Sequence, residues 1–382
     1  MTYSAIKLTE DLVRCPSVTP EDAGAQQVVV DALTPLGFSF EHLRFEGNGG
    51  SYGVDNLFAR LGDKGPHLCF GGHTDVVPTG DEDAWTNPPF SPTITEGRMY
   101  GRGTADMKAG NAAFICAVAQ YIEEFGPPKG SISLLITGDE EKEGINGSKQ
   151  VLRWMQENGH IPDVALVGEP SCVDVLGDEV KVGRRGSLTA ILTVSGKQGH
   201  TAYPALADNP LPRLVKLLEA LNNFTFDEGS QFFPPTNCEV VTIDVGNPSH
   251  NVIPAKGSAK FNIRFSDHWT GETLSQKVHE IFGSVGVDYD IDITVGAESF
   301  LTTSKEWINL VMQAVEEETG VKPEASTKGG TSDARFFQAY CPVVEFGLSN
   351  KTIHQIDEYL VLNDLEKLVA VYKNILVRFF QK

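Results

Sequence analysis

Histidine, aspartate and glutamate residues occur in short clusters whose side chains suit the binding of metal ions. Most of these clusters come soon after an apolar run that predicts a β-strand. They are the triplet His73-Thr74-Asp75, the pair Glu140-Glu141, Glu169, His354, and Asp106 in the glycine-rich segment GRGTAD. Zinc, cobalt and manganese all accept imidazole and carboxylate ligands without thiolates. The residue types therefore suit a metal centre.

The number of carboxylates fits a pair of divalent ions. Asp106, Glu141 and Glu169 bring three negative charges, and a bridging hydroxide would bring the fourth. Such a site is neutral overall and avoids the large cost of burying net charge. If Asp106 bridges the two ions, each ion has one histidine, one terminal carboxylate, the bridge and the hydroxide. This is the tetrahedral ligand number usual for zinc.

The adjacent residues Glu140 and Glu141 are expected to have different roles. Neighbouring side chains of an extended backbone point to opposite faces, so one can bind metal while the other faces the shared water. Amide hydrolysis needs a general base that activates the water and then protonates the leaving amine. Asp75, two residues after His73, is expected to accept the other N–H of that imidazole.

Each cluster also has a purely structural interpretation. An H-x-D triplet can be a capped turn, paired glutamates can be a solvated face, and a single histidine is often hydrogen-bonded in a core. Asp106 could be a helix N-cap. Their joint occurrence at predicted strand ends favours the metal site. The segment GRGTADMKAG matches neither phosphate-loop pattern, and its aspartate would repel phosphate, so nucleotide binding is rejected.

Alternating strands and helices are predicted around these clusters. Strands are expected at residues 67–71, 131–137, 163–167 and 342–346, and helices at 20–36, 108–124, 148–158 and 363–380. The first helix would take Thr19 as its N-cap and Pro20 as its first residue. This alternation predicts an α/β domain with a mixed, largely parallel sheet flanked by helices. Ligands of such sheets bind outside the carboxyl ends of the strands.

The pattern of predicted strands and helices changes after residue 182. Strands at 187–195, 239–245, 259–265 and 289–295, with helices at 211–221 and 273–282, give the order β-α-β-β-α-β of a compact α+β motif. From residue 305 the alternation of helices and strands predicted for the first part of the chain returns. We therefore expect a catalytic domain formed by 1–182 and 297–382, interrupted by a smaller domain at 183–296.

Composition limits the class of protein further. The chain has 382 residues and a net charge of −20, so nucleic acid and anionic membranes are poor partners. Its six cysteines are scattered singly and are expected to be reduced thiols. We expect no signal peptide, because charged residues interrupt the N-terminal segment, and no membrane span, because the longest apolar run covers only 112–119. A cytoplasmic location is the expectation.

Five segments together carry a resemblance to a known family. GGHTDVVP, YGRGTADMKAG, TGDEE, VGEP and TIHQIDE occur in an order and spacing that resemble the dinuclear zinc peptidase and deacylase family, which includes aminoacylase, acetylornithine deacetylase and glutamate-type carboxypeptidases. The likeness covers essentially the whole chain. It implies an amide hydrolase with two zinc ions per subunit, replaceable by cobalt or manganese. It also implies a homodimer formed through the smaller lid domain.

The resemblance also implies a role for each residue of the site. His73 and Glu169 would hold one zinc ion and Glu141 and His354 the other, with Asp106 as the bridge. Asp75 would orient His73, and Glu140 would be the general base. His200 would reach the active site of the partner subunit and stabilise the tetrahedral oxyanion. The peptide bond between Asp106 and Met107 is expected to be cis.

Four further segments indicate the substrate. GRRGSLT, GKQGHTAYP, GGTSDARF and GLSNKTIHQIDE resemble family members that cleave N-succinyl-L,L-2,6-diaminopimelate to succinate and L,L-2,6-diaminopimelate, in lysine and diaminopimelate biosynthesis. Arginine grips carboxylates bidentately, so arginines are expected to hold this substrate. The candidates are Arg184, Arg185 and Arg264. The resemblance adds polar residues that would line the pocket: Tyr203, Asn251, Thr331, Ser332 and Asn350. The alternative interpretation of these residues is as polar residues of turns and loops.

Two alternatives remain open from the sequence. The chain could be a deacylase or dipeptidase that acts on another N-acyl amino acid such as N-acetylornithine. It could also be a non-catalytic relative that binds peptides. The second alternative is disfavoured because all five expected ligands and Glu140 are present.

Overall fold

A computed structural model describes residues 3–47 and 52–381 of the chain. The described chain divides into two compact units. The first unit comprises the chain up to Val182, Thr302–Ser326 and the chain from Ser332 onward, and the second comprises Gly183–Leu301 and Thr327–Thr331. The short segment Thr327–Thr331 thus returns to the second unit after the chain has re-entered the first.

The helices begin and end at recognisable caps. Ser304 accepts a hydrogen bond from the Trp307 amide at the start of one helix, and Gly320, with a φ of 73°, ends it. In chain order the helices are α1 (Ala5–Val13), α2 (Ala25–Leu33), α3 (Ala109–Phe125), α4 (Ser148–Glu157), α5 (Leu211–Asn222), α6 (Gly271–Val285), α7 (Lys305–Thr319), α8 (Ala334–Phe337) and α9 (Leu362–Phe380).

The strands differ in burial between the two units. In the first unit, Ser131–Thr137 is buried at every position, as expected for a strand covered on both faces. In chain order the strands are β1 (Ser39–Phe45), β2 (Val54–Leu61), β3 (His67–His73), β4 (Thr93–Thr95), β5 (Arg98–Tyr100), β6 (Ser131–Thr137), β7 (Val164–Val167), β8 (Glu179–Lys181), β9 (Gly183–Arg184), β10 (Gly186–Ser195), β11 (Gly199–His200), β12 (Asn237–Asp244), β13 (Val252–Ile253), β14 (Lys256–Phe265), β15 (Asp290–Ala297), β16 (Phe300–Leu301), β17 (Glu324–Ser326), β18 (Val343–Glu345) and β19 (Tyr359–Val361).

An eight-stranded sheet forms the centre of the first unit, in the order β1-β2-β6-β3-β7-β18-β8-β17. The four central strands β6, β3, β7 and β18 run parallel to one another. Strands β1 and β2 are antiparallel to their neighbours, and β18 meets β8 in an antiparallel pairing. The mixed, largely parallel sheet predicted from the sequence is confirmed. Its parallel centre brings the carboxyl ends of four strands to one edge.

The core of the first unit lies between this sheet and its helices. Phe70 of β3 stacks on Phe114 of α3 with ring centroids 4.2 Å apart, and Tyr372 of α9 packs edge-on against both rings. The Tyr372 hydroxyl donates to the carbonyl of Phe346 at 2.6 Å, just past β18. Helices α3 and α9 are thereby fixed against the central strands.

The second unit has its own core, formed by one face of a four-stranded antiparallel sheet in the order β12-β14-β10-β15. Alternate residues of β10, beginning with Leu188 and Ala190, are buried against α5 and α6. The long elements follow the order strand, helix, strand, strand, helix, strand. The period-two pattern of residues 187–195 therefore has the physical origin proposed for it, a strand that is buried on one face.

The predicted start of the helix at 20–36, which corresponds to α2, is wrong. Residues 20–36 were expected to be helical from Pro20, but α2 begins at Ala25, after Gly24 with a φ of 86°. The Thr19 hydroxyl donates to Asp75 instead of capping a helix. Asp22 takes that role, because its carboxylate accepts from the amides of Gly24 and Gln26.

Within the described residues, no helix is both long enough and apolar enough to cross a membrane.

Candidate active site

The carboxyl edge of the central sheet collects most of the predicted site residues. His73 is the last residue of β3, and Glu140 and Glu141 follow β6 within four residues. Glu169 follows β7 by two residues, and His354 lies in the segment between β18 and β19. Because these four strands are parallel neighbours, residues far apart in sequence meet at one edge of the sheet.

Asp106 reaches the same place from a turn between β5 and α3. The Lys108 amide donates to the Gly103 carbonyl at 3.0 Å across the turn Thr104–Lys108, and Asp106 within it has the extended dihedrals φ −125° and ψ 102°. Gly103, with a φ of 84°, precedes the turn, and a β-carbon there would lie 2.8 Å from Val76. A glycine at 103 therefore allows the backbone to enter the site. The Asp106–Met107 peptide bond is cis, as the resemblance implies.

The two oxygens of Asp106 face two different imidazoles. Its Oδ1 lies 3.2 Å from Nε2 of His73, and its Oδ2 lies 3.4 Å from Nε2 of His354. His354 Nε2 also lies 3.1 Å from Glu141 Oε2, and His73 Nε2 lies 3.5 Å from Glu169 Oε1. This is the arrangement required of a carboxylate that bridges two ions, each with its own histidine and its own glutamate.

Two overlapping sets of side chains could each surround a cation. The potential ligand atoms of His73, Asp106 and Glu141 all lie within 4.8 Å of one another, and so do those of His73, Glu140 and Glu169. Glu169 Oε1 is buried, and among the described residues it has no hydrogen-bond partner. A buried carboxylate oxygen without a donor is costly, and a bound cation would satisfy it. The side chains present therefore fit a pair of metal ions.

The charges of the cluster support the same interpretation. Burial raises the pKa of Glu169 and of Glu140 well above the usual range, and neighbouring carboxylates raise both further. Burial lowers the pKa of His73, but the hydrogen bond to Asp106 and the charge of Glu169 outweigh it, so the pKa lies well above its usual value. Hydrogen bonds to Asp106 and Glu141 raise the pKa of His354 to about 10. The cluster attracts positive charge, which is what divalent cations would bring.

The imidazole of His73 is oriented by a backbone group. Its Nδ1 lies 2.9 Å from the carbonyl oxygen of Asp75 and 3.5 Å from the Asp75 carboxylate. Because a carbonyl can only accept, Nδ1 carries a proton, and Nε2 is the nitrogen that faces the cluster. The predicted acceptor was the carboxylate of Asp75, and the structure makes its carbonyl the closer one.

The Asp75 carboxylate binds the neighbouring loop instead. It accepts the amide hydrogens of Glu140 at 3.3 Å and Glu141 at 3.2 Å, and the Thr19 hydroxyl at 2.7 Å. Sequence reasoning missed this contact, since the spacing of an H-x-D triplet carries no information about a loop that lies 65 residues further on. Asp75 thereby connects the loop that carries His73 to the loop that carries both glutamates.

Most of the predicted substrate residues lie in the second unit. His200 and Tyr203 lie beside Asn251, because His200 on β11 pairs with Val252 on β13 and the Thr201 amide donates to the Asn251 carbonyl. Arg184 donates to the carbonyl of Gly330 at 3.1 Å, next to Thr331 in the chain. Arg264 on β14 lies opposite Ser187 on β10. Burial of Arg185 lowers the pKa of that residue, and the nearby charge of Arg264 lowers it further.

The last two predicted substrate residues lie in the first unit. The Ser332 hydroxyl is buried and donates to Glu345 Oε1 at 2.7 Å, so it already has a partner at the end of β18. Asn350 is partly exposed, and its backbone amide donates to the Cys172 carbonyl at 2.9 Å.

Comparison with known proteins agrees with this geometry. A sequence profile of Peptidase family M20/M25/M40 matches residues 69–378. The chain is 53% identical over 380 residues to the succinyl-diaminopimelate desuccinylase of Rhodospirillum centenum, covering 100% of this chain and 98% of that protein. It is 48% identical to the succinyl-diaminopimelate desuccinylase of Rhodopseudomonas palustris, covering 100% and 99% of the two chains.

The crystal structure of the M20 family metallo-carboxypeptidase Sso-CP2 from Sulfolobus solfataricus has a similar fold. It superposes with a TM-score of 0.79 at 17% identity, and the match covers 99% of both chains. At this identity the likeness concerns the fold, and it extends over both units of the chain.

Proposed function

The chain belongs to Peptidase family M20/M25/M40, and from this premise we propose that it is a metal-dependent amide hydrolase specific for N-succinyl-L,L-2,6-diaminopimelate. Its products are succinate and L,L-2,6-diaminopimelate, which places the enzyme in diaminopimelate and lysine biosynthesis. The substrate prediction made from the sequence agrees with the names of the relatives at 48% and 53% identity. The non-catalytic alternative does not fit these relatives, whose name describes an enzyme.

One observation carries the chemical part of the proposal. Two imidazoles and a pair of glutamates surround Asp106 so that each of its oxygens faces one histidine. We assign His73 and Glu169 to one ion, Glu141 and His354 to the other, and Asp106 to both. Zinc is the proposed metal, with cobalt or manganese as substitutes, because the site offers only imidazole and carboxylate donors. Such ions, when bound, polarise the scissile carbonyl and lower the pKa of water held between them.

Glu140 is the proposed general base. Its carboxylate lies with His73 and Glu169 in one cluster, while its neighbour Glu141 faces His354. Glu140 accepts a proton from the water as the water oxygen attacks the succinyl carbonyl carbon. It then donates that proton to the amine nitrogen as the C–N bond breaks, so one water is consumed for each amide.

Recognition of the substrate is assigned to cations and polar groups outside the metal cluster. Arg184 and Arg264 are the proposed partners of the substrate carboxylates, with Tyr203, Asn251, Thr331, Ser332 and Asn350 as further contacts. Burial lowers the pKa of Arg264, and an anion beside a buried guanidinium offsets the cost of that burial. We further propose a homodimer in which His200 of the partner subunit stabilises the tetrahedral oxyanion.

A paired assay tests the function. The purified protein, supplied with Zn²⁺, is given N-succinyl-L,L-2,6-diaminopimelate and N-acetylornithine, and the released primary amine is measured. We expect turnover of the first and at least 100-fold lower kcat/KM for the second, since the acetyl group lacks the succinyl carboxylate, about 2.7 kcal/mol of discrimination. Turnover of N-acetylornithine alone would reject the substrate and keep the chemistry. Absence of hydrolysis with both ions bound would reject the function.

A further inference from the structure

A buried ion pair lies beside the metal cluster and takes no part in the chemistry proposed above. Arg102 Nη1 and Glu358 Oε2 are 2.8 Å apart, and the two residues are 2% and 1% exposed. Both belong to the first unit, Arg102 in the turn before Asp106 and Glu358 at the end of the segment that carries His354.

Glu358 holds the backbone of the Asp106 turn. Its Oε1 accepts from the amides of Ala105 at 2.8 Å and Asp106 at 3.2 Å, and its Oε2 accepts from the amide of Gly103 at 3.0 Å. Buried backbone N–H groups need an acceptor, and several of them that point at one place favour an anion there. Here the anion is supplied by the protein itself.

Arg102 extends the connection to two further segments. Its guanidinium donates to the carbonyl of Gln355 at 3.2 Å and to that of Pro78 at 3.4 Å. The Gly101 amide also donates to the Glu358 carbonyl at 2.9 Å. Gln355 is the residue after His354, so Arg102 and Glu358 bind the segment of one proposed ligand to the turn of another.

Stability alone does not account for a pair of this kind. Burying two charges costs about as much as their attraction returns, and well-packed apolar side chains often serve a fold equally well. The charges do, however, fix which backbone amides and carbonyls meet. Partners that hold metal ligands in place change metal affinity by about 10- to 100-fold when they are removed.

We propose that Arg102 and Glu358 form a positioning clamp that holds Asp106 and His354 at the spacing required by the ion between them. The clamp acts through the backbone of both segments and does not touch the ion. It sets the affinity of the ion assigned to His354 and Glu141 more than that of the ion assigned to His73 and Glu169. This inference rests on the proposed two-ion site.

Substitution Glu358→Gln tests the clamp with little change in side-chain volume. The amide retains one acceptor oxygen, but its NH₂ group would face backbone N–H groups or the Arg102 guanidinium. The metal-free protein is titrated with Zn²⁺ against a chromophoric chelator, which resolves two dissociation constants without any substrate. We expect one of the two dissociation constants to rise at least tenfold and the other to change less than threefold.

Two further variants separate positioning from general loss of stability. Arg102→Lys keeps the charge but loses the forked contacts, and we expect a smaller rise in the same constant. Ser133→Ala removes a buried hydrogen bond of 2.7 Å to His67, away from the ligand segments. It should lower Tm and leave both constants unchanged. Arg102→Lys also keeps the test available if Glu358→Gln does not fold.

The outcomes distinguish the clamp from the proposed function. A wild-type protein that binds fewer than two zinc ions would overturn the two-ion site, and the clamp with it. A wild-type protein that binds two ions, with folded Glu358→Gln and Arg102→Lys proteins whose constants stay within threefold of it, would overturn the clamp alone.

Discussion

The substitution Asp75→Asn distinguishes two roles for a residue that the sequence places beside a metal ligand. If Asp75 acts by orienting His73, its loss should weaken metal binding. The structure assigns that orientation to the Asp75 carbonyl, 2.9 Å from Nδ1 of His73, and a side-chain substitution keeps the carbonyl. The carboxylate instead holds the amides of Glu140 and Glu141.

The expected magnitude follows from those two hydrogen bonds. An asparagine side chain has one acceptor oxygen, so one of the two amides would face an NH₂ group. A hydrogen bond to a charged acceptor contributes about 1.5–3 kcal/mol. If the loss of that free energy raises the barrier of the hydrolytic step, because the general base is no longer held in place, kcat falls by about 10- to 100-fold. We expect the affinity for both ions to change by less than a factor of about ten.

The assay combines kinetics and metal binding on the same preparation. Steady-state hydrolysis of N-succinyl-L,L-2,6-diaminopimelate gives kcat, and Zn²⁺ titration against a chelator gives the two dissociation constants. Asp178→Asn is a matched control, because its carboxylate also accepts backbone amides, those of Val173, Asp174 and Val175, away from the cluster. It should lower Tm and leave kcat intact. An Asp75→Asn protein with normal kcat under saturating Zn²⁺, but metal affinity reduced 100-fold, would refute the reasoning.

Three other perturbations have defined outcomes. Glu140→Gln should retain two zinc ions, measured by metal analysis, and lose about 10²–10⁴-fold in kcat, while wild-type activity would contradict its role as base. Chelation should lower Tm, and the gap to the metal-loaded protein should widen as pH rises. Burial raises the pKa of Glu169 in the metal-free fold, so that fold keeps a proton at pH values above the unfolded pKa and loses stability as pH rises towards the raised pKa. Burial lowers the pKa of His67 to about 4, so the unfolded state binds the extra proton below its own pKa of roughly 6.5. Stability is therefore complete above that pH and falls by roughly 3 kcal/mol towards pH 4, and His67→Gln should reduce that dependence of Tm on pH.

Most of the site residues at the carboxyl edge of the central sheet could be predicted from local sequence patterns. His73, Glu141 and Glu169 each follow a run of buried apolar residues, and parallel strands must bring such ends together. The prediction needed only the identity of the strands and the rule that their carboxyl ends share one edge. His354 and Asp106 were harder, because each lies on a turn whose path depends on contacts distant in sequence.

The sequence did not reveal how the ligands are held. Thr19 and Pro20 have the types expected at a helix start, yet Thr19 donates its hydroxyl to Asp75 and α2 begins at Ala25. The hydrogen bond between Asp75 and the Glu140 amide spans 65 residues, and that between Glu358 and the Asp106 amide spans 252. Periodicity and capping rules describe neighbours in the chain, so tertiary partners of this kind lie beyond them.

The acidic side chains around the cluster divide into two kinds by what neutralises them. The carboxylates of Asp75 and Glu358 accept hydrogen bonds from backbone amides, and Glu358 also pairs with Arg102. Groups of the protein itself therefore neutralise their charge. Asp106, Glu141 and Glu169 face imidazoles, and for the last of these an oxygen has no donor among the described residues. Removing a charge of the first kind should therefore change geometry, and removing one of the second kind should change the number of cations bound. The division predicts that Asp75→Asn and Glu358→Gln keep two zinc ions at saturation, whereas Asp106→Asn binds fewer.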